Sequence, residues 1–253
     1  MAATGALAGK VALVTGGGKN IGRAIALRLA ADGAAVIVNG RGDRAIVEAT
    51  AKEIRDEGGR AMGFLADVSQ ADQVAAMVAK AVGEFGGVDI AVSNAGLRRQ
   101  TPFLDMTLEE WREIQSVALD GAFILAKAVV PHMIARGGGA FIGLSGVSHH
   151  AGAKGRVHVN ASKAGLEGFL RGLAIELAPH GITVNAIAPG SIDTVRGSSA
   201  GGPGGRGHLG NVPLGRQGRP EEIAAMVHLL AGPDGRYVTG QTIHVNGGLY
   251  LGK

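Results

Sequence analysis

Val11-Ala12-Leu13-Val14-Thr15-Gly16-Gly17-Gly18-Lys19-Asn20-Ile21-Gly22 decides the fold. Four consecutive apolar residues without polar alternation read as a strand covered on both faces, the kind found inside parallel sheets. Three glycines then turn the chain, and Ile21 to Ala31 carries apolar residues at helical spacing. Strand, glycine turn and helix in that order bring free backbone N–H groups and the positive end of a helix dipole to one point, which suits a pyrophosphate. The same glycines without the strand and helix would mean only a tight turn.

Outward from this unit the alternation repeats. Ala34 to Asn39 reads as a second strand and Asp43 to Glu57 as its helix. Further strands are expected at Ala61 to Leu65, Val88 to Ser93, Ala140 to Ser145, Ile182 to Ile187 and Thr242 to Val245. Helical patterns separate them at Gln70 to Phe85, Leu108 to Ala135, Asn160 to Ala178 and Glu221 to Leu230. Strands separated by helices are joined by right-handed crossovers rather than hairpins, which predicts an α/β, doubly wound Rossmann-type fold with a mostly parallel sheet of about seven strands and helices on both faces. With neither a Pro/Ser-rich linker nor an internal repeat, residues 1–253 are read as one dinucleotide-binding domain. The glycine-rich stretch 195–215 cannot hold a helix and reads as a substrate loop or lid.

Of the 253 residues, 46% are hydrophobic, enough to bury a core without covalent staples and too many for a disordered chain. The chain has no cysteine, which excludes a disulfide framework, a thiolate nucleophile and a cysteine-ligated zinc. Redox chemistry then needs a cofactor. Apolar runs are cut by Gly, Asn, Asp or basic residues before the roughly 20 residues a membrane span needs, and the start lacks a secretory pattern. A soluble cytoplasmic protein with no membrane partner is expected. A net charge of +4 is thin for a nucleic-acid binder, and no basic run interleaved with aromatics occurs. A small anionic ligand accounts for it equally well.

Beyond the glycine turn, further short motifs appear in order: Asp67-Val68 after the third strand, Asn94-Ala95-Gly96 after the fourth, and Ser162-Lys163-Ala164-Gly165 on a helix. Pro189-Gly190-Ser191-Ile192-Asp193-Thr194 follows the sixth strand, and Thr239-Gly240-Gln241 and Val245-Asn246-Gly247-Gly248 close the chain. On these motifs the chain resembles the short-chain dehydrogenase/reductase family over nearly its whole length. The resemblance implies that Gly16, Gly18, Lys19, Asn20, Ile21 and Gly22 cradle a dinucleotide and that Asp67 and Val68 bracket its adenine. It further implies that Asn94, Ala95 and Gly96 pass behind the cofactor, that Lys163 binds the nicotinamide ribose, and that Pro189, Gly190, Ile192 and Thr194 flank the nicotinamide. A small-molecule substrate and a homotetramer are implied as well. The family turn reads T-G-x-x-x-G-x-G; Asn20 replaces its second glycine, and Asn is one of the few residues that tolerate φ > 0.

The second strand ends Val38-Asn39-Gly40-Arg41, without the carboxylate that would bind a ribose 2′-OH and repel a 2′-phosphate. Lys19 and Arg41 are placed by the resemblance to bond that phosphate, so NADP(H) is expected in preference to NAD(H).

The family's proton donor is a Tyr four residues before the helix Lys, and that position here is Val159. The family's Ser position falls on Gly146, between Ser145 and Ser148, and its Asn position on Ala118. Only Tyr237 and Tyr250 exist, both near the C-terminus. The remaining catalytic candidates are Lys163, Ser145, His149 and His158, together with His150, since an imidazole with an ordinary pKa of about 6.5 suits proton transfer. His149, His150 and His158 form no i, i+4 pair and have no paired carboxylates nearby in sequence, so no metal site is expected. Arg98-Arg99 could dock a carboxylate, a sulfonate or a phosphate. Two functions fit: an NADP(H)-dependent oxidoreductase with an atypical proton-transfer site, acting on a small carbonyl, imine or conjugated double bond, or an NADP-binding scaffold or sensor without turnover.

Overall fold

Seven parallel strands form one sheet in the order β3-β2-β1-β4-β5-β6-β7 in the computed structural model, which describes residues 5–195 and 212–252. The strands are β1 (Val11–Val14), β2 (Ala35–Gly40), β3 (Arg60–Leu65), β4 (Ile90–Ser93), β5 (Gly139–Leu144), β6 (Ile182–Pro189) and β7 (Thr242–Val245). Most of the glycine-rich stretch read as a lid, residues 196–211, lies outside the described residues.

All of β1 is buried, as its unbroken apolar run requires. Because side chains alternate across a strand, Ala12 and Val14 face one layer and Val11 and Leu13 the other. On the first face Ile25 and Leu29 of α1 (Asn20–Ala31) pack with Ile223 and Val227 of a helix over Pro220–Ala231. On the second, Met77, Leu125 and Leu170 come from helices over Ala71–Phe85, Gly121–Ala135 and Val157–Leu177. Asp89, at the entry to β4, is buried and held by Val11 N (2.9 Å), Lys10 Nζ (3.2 Å) and Arg136 Nε (2.9 Å). Such a carboxylate is tolerated inside only because donors surround it.

One detail refines the sequence expectation and another departs from it. The helix expected over Leu108–Ala135 is continuous and widens to a π-type turn over Ser116–Asp120. There Ser116 Oγ turns back on the Glu113 carbonyl at 3.0 Å, a local bond that competes with the helical ladder. By length and mean hydropathy alone this stretch could cross a membrane, although Asp120, Gly121 and Lys127 cut its apolar run. Here its Leu125, Val129 and Met133 are buried on the sheet. The helix carrying Lys163 starts at Val157, three residues before its expected start at Asn160.

The sheet positions the site. Between β1 and β4 the strand order reverses, so the connections leave toward opposite faces and open a crevice at the C-terminal ends of these strands.

Candidate active site

The glycine turn after β1 closes by a few specific contacts. Gly16 (φ 61°) and Asn20 (φ 51°) take left-handed backbone, and Asn20 is the only non-glycine among the described residues to do so. The Asn20 amide also ties the chain beyond β6, donating to the Val195 carbonyl at 2.9 Å and accepting from its N–H at 3.1 Å. A Cβ on Gly22 would stand 2.1 Å from the Gly16 carbonyl oxygen, so helix and turn can meet only through a glycine. Asn94 Nδ2 donates to the Thr15 carbonyl (2.8 Å) and the Gly16 carbonyl (3.2 Å), while Thr15 Oγ1 accepts from the N–H groups of Asn94 and Ala95, both at 3.0 Å. These bonds fasten the turn to the end of β4.

Lys19, at the N-cap of α1, makes no capping bond, and the first turn of the helix holds no acidic side chain. The first N–H groups of the helix are thereby left to an external anion. Beside them lies a hollow of about 290 Å³, lined by Gly16, Gly18, Lys19, Arg41, Asp67, Val68, Ala95 and Gly96 among others. The Asn39 side chain is committed to structure: its Nδ2 donates to the Ala66 carbonyl at 3.0 Å. Arg41 stands at the rim, 3.6 Å from Asp67 Oδ2. Burial works against the Asp67 carboxylate, but the Ser69 donors and the Arg41 charge outweigh it and hold the carboxyl below its ordinary range.

A second hollow of about 400 Å³ shares Gly96 and Leu97 with the first. Ile21, Asn94, Lys163, Pro189 and Gly190 line it, as do Ser145, Val159 and Arg98. Lys163 Nζ donates to the Leu144 carbonyl at 2.5 Å. Loss of water around this ammonium, with the Arg98 charge nearby, pulls its pKa down to about 8 against the pull of Glu167. Ile192 is buried in the core and Thr194 is half-buried beyond it; neither lines either hollow. Of the two arginines, Arg99 is held by Glu113 at 2.6 Å while Arg98 faces the cavity, near Arg156.

Val159 contributes an aliphatic wall one helical turn before Lys163. Neither tyrosine supplies a phenol there: Tyr237 is fully exposed, and Tyr250 stacks on His150 with ring centroids 4.8 Å apart. The expectation for His158 is corrected. Adjacent positions on a helix point about 100° apart, so with Val159 turned to the cavity His158 is fully buried on another side, its Nε2 3.1 Å from Glu110 Oε1.

Ser145 does line the hollow, and it leads to a residue that sequence reasoning missed. Its Oγ donates to Glu167 Oε1 at 2.7 Å. The same oxygen lies 3.2 Å from His149 Nε2 and 3.3 Å from His150 Nε2. Burial favours the neutral acid, but the His149 and Ser145 donors and the charges of both imidazoles hold Glu167 down to about 2. The available signal was its spacing: Glu167 follows Lys163 by one helical turn and so shares its face.

Residues 16–250 match the family model described as enoyl-(acyl carrier protein) reductase. Over 242 residues the chain is 40% identical to the 3-oxoacyl-[acyl-carrier-protein] reductase FabG of Staphylococcus aureus, covering 96% of this chain and 98% of that one. It is 41% identical over 246 residues to the Vibrio cholerae protein of the same name, covering 97% and 99%. Among solved structures it is similar to a blue fluorescent protein from a metagenomic library in complex with NADPH, with a TM-score of 0.89, 36% identity and 97% and 99% coverage. It is likewise similar to a Serratia marcescens short-chain dehydrogenase/reductase, with a TM-score of 0.89, 33% identity and the same coverages.

Proposed function

The chain belongs to the short-chain dehydrogenase/reductase family, and from that premise we propose that it is an NADP(H)-dependent oxidoreductase with an atypical proton-transfer site. Its substrate in this proposal is a small carbonyl, imine or conjugated double bond. The observation that carries it is the pair of adjoining hollows, one beside an uncapped helix N-terminus and the other holding a partly buried Lys163. The glycine cradle fits a pyrophosphate, because a Cβ at Gly22 would close it. Lys19 and Arg41 favour a 2′-phosphate, with no acid at the end of β2 to oppose it. NADPH, when bound, supplies a hydride.

The chain's own residues must then manage the proton. A reduced carbonyl leaves an oxygen anion that needs a donor. Val159 can give none, and the Ser145 hydroxyl is already directed at Glu167. An iminium that takes the hydride becomes a neutral amine and needs no such proton, while a conjugated double bond leaves a delocalised enolate whose proton can come from water entering the hollow. Arg98 and Arg156 at the cavity wall favour an anionic or carrier-bound substrate. The proposal also includes a homotetramer, for which the exposed Phe123, edge-on to Phe169 at 6.3 Å, offers an apolar face.

The aliphatic wall at Val159 also supports a second reading, an NADP-binding scaffold or sensor without turnover. Calorimetric titration with NADPH and NADH, followed by a turnover screen over ketones, imines and enones, separates the two. The proposal expects at least about tenfold tighter NADPH binding, as one charge-assisted contact would give, and turnover of imines or enones above ketones. A clear preference for NADH overturns the cofactor assignment. NADPH binding with no turnover of any class leaves the scaffold.

A further inference from the structure

We propose that His149, His150 and Glu167 bind a divalent transition-metal ion of the zinc class behind the Ser145 wall of the second hollow. The two histidines come from a short helix after β5 (Ser148–Ala151) and the glutamate from the helix that carries Lys163. Each offers a donor atom within 4.8 Å of the other two, and Glu167 Oε1 lies 3.2 Å from His149 Nε2 and 3.3 Å from His150 Nε2. The side chains are 7%, 19% and 5% exposed, so they form an interior cluster and not a patch of solvated surface groups.

The hydrogen bonds around the cluster fix which ring nitrogen of His149 faces Glu167. His149 Nδ1 lies 2.7 Å from the Gly146 carbonyl, which can only accept, so Nδ1 carries a proton and Nε2 is the ring nitrogen turned toward Glu167. Glu167 Oε1 is a carboxylate oxygen and can only accept in turn. At 3.2 Å two lone pairs cannot face each other, so either a proton or a metal ion stands between Nε2 and Oε1. Protons on the two Nε2 atoms satisfy these contacts in the metal-free protein, and a metal ion would replace them with one cation shared by three donors.

Geometry and ligand type agree with this. Zinc bonds of about 2.0–2.1 Å in a tetrahedron separate neighbouring ligand atoms by about 3.4 Å. The two edges from Glu167 Oε1 measure 3.2 and 3.3 Å. The bond from His149 Nδ1 to a backbone carbonyl is the outer-shell contact that fixes the tautomer of metal-ligating histidines. Two imidazoles and one carboxylate suit zinc or cobalt better than magnesium or calcium. Beside the cluster, His244 packs against His150 with centroids 4.7 Å apart, and its buried Nδ1 has no hydrogen-bond partner among the described residues. Nothing in this assignment depends on the cofactor.

The test is titration of tag-free, chelator-treated protein with Co²⁺, followed by visible absorption and by competition with Zn²⁺. About one Co²⁺ per chain is expected, with the intense bands of four-coordinate cobalt and displacement by Zn²⁺. His149→Ala, His150→Ala and Glu167→Gln should each weaken binding at least about tenfold, while His180→Ala, an exposed histidine, leaves it unchanged. Binding that survives all three substitutions overturns the site, as does no binding beyond that of the variants. Should a variant fail to fold, ¹⁵N shifts of the histidine rings in the unaltered protein decide the matter. Zn²⁺ must move the His149 and His150 Nε2 resonances, and unmoved resonances reject the site.

Discussion

Restoring a phenol and a hydroxyl to the second hollow should create ketone reductase activity through Val159→Tyr combined with Gly146→Ser. Val159 lines a hollow of about 400 Å³ and sits one turn before Lys163, so a ring there has room and faces the ammonium. A Cβ on Gly146 meets nothing within 4 Å, and its backbone is not left-handed, so the serine enters without strain. Lys163, titrating at about 8, remains mostly charged at neutral pH and would lower the pKa of the new phenol. General acid assistance is typically worth about 10²–10⁴-fold, or about 3–5 kcal/mol of barrier. Enlarging a buried side chain costs about 1–3 kcal/mol in a packed site, and the adjoining hollow keeps this at the low end. The expected gain in kcat/KM for a simple ketone or a short 3-oxoacyl thioester is therefore about 10²-fold, read from NADPH oxidation. A double variant that melts and binds NADPH as the parent does, yet gains less than about threefold, would refute the idea that the missing acid limits carbonyl reduction.

Gly22→Ala should weaken NADPH binding by about 10²-fold or more, roughly 3 kcal/mol. The added methyl would lie 2.1 Å from the Gly16 carbonyl oxygen and 2.6 Å from Asn94 Nδ2; unchanged calorimetric affinity would contradict the cradle. Asn20→Ala should destabilise by about 1–2 kcal/mol in urea melts, because an L-residue is forced to φ 51° and both bonds to Val195 are lost. Asn20→Gly should cost less, and equal losses would show that the backbone conformation is unimportant. NADPH affinity should fall as pH rises through about 8, where Lys163 loses its charge. The stability contribution of Lys163 runs the other way: between about 8 and 10.5 the unfolded chain binds the extra proton, so stability rises with pH across that window. Lys163→Met should remove both dependences, and a pH profile of affinity that survives it would assign the titration to another group.

Local patterns carried the fold. The unbroken run Val11–Val14 could be buried only between two helical layers, and crossovers of helical length forced the remaining strands to lie parallel. The cradle was legible for the same reason, since turn, helix start and glycine spacing lie within a dozen residues. The vacancy at Val159 followed from counting back along one helix from Lys163. Continuity across Leu108–Ala135 was legible from its helical spacing, whereas the local widening at Ser116–Asp120 left no pattern in the sequence.

The amino-acid order by itself therefore determined the sheet, the nucleotide hollow and the absence of a tyrosine beside Lys163, all encoded in residues near one another along the chain. Only the tertiary structure decided what the polar groups do. It turned His158 into the interior against Glu110, 48 residues away, and paired Arg41 with Asp67. It also brought Glu167 onto Ser145, His149 and His150 across separations of 22, 18 and 17 residues. Burial makes such groups seek partners wherever packing places them, and packing brings together side chains whose spacing along the chain carries no pattern.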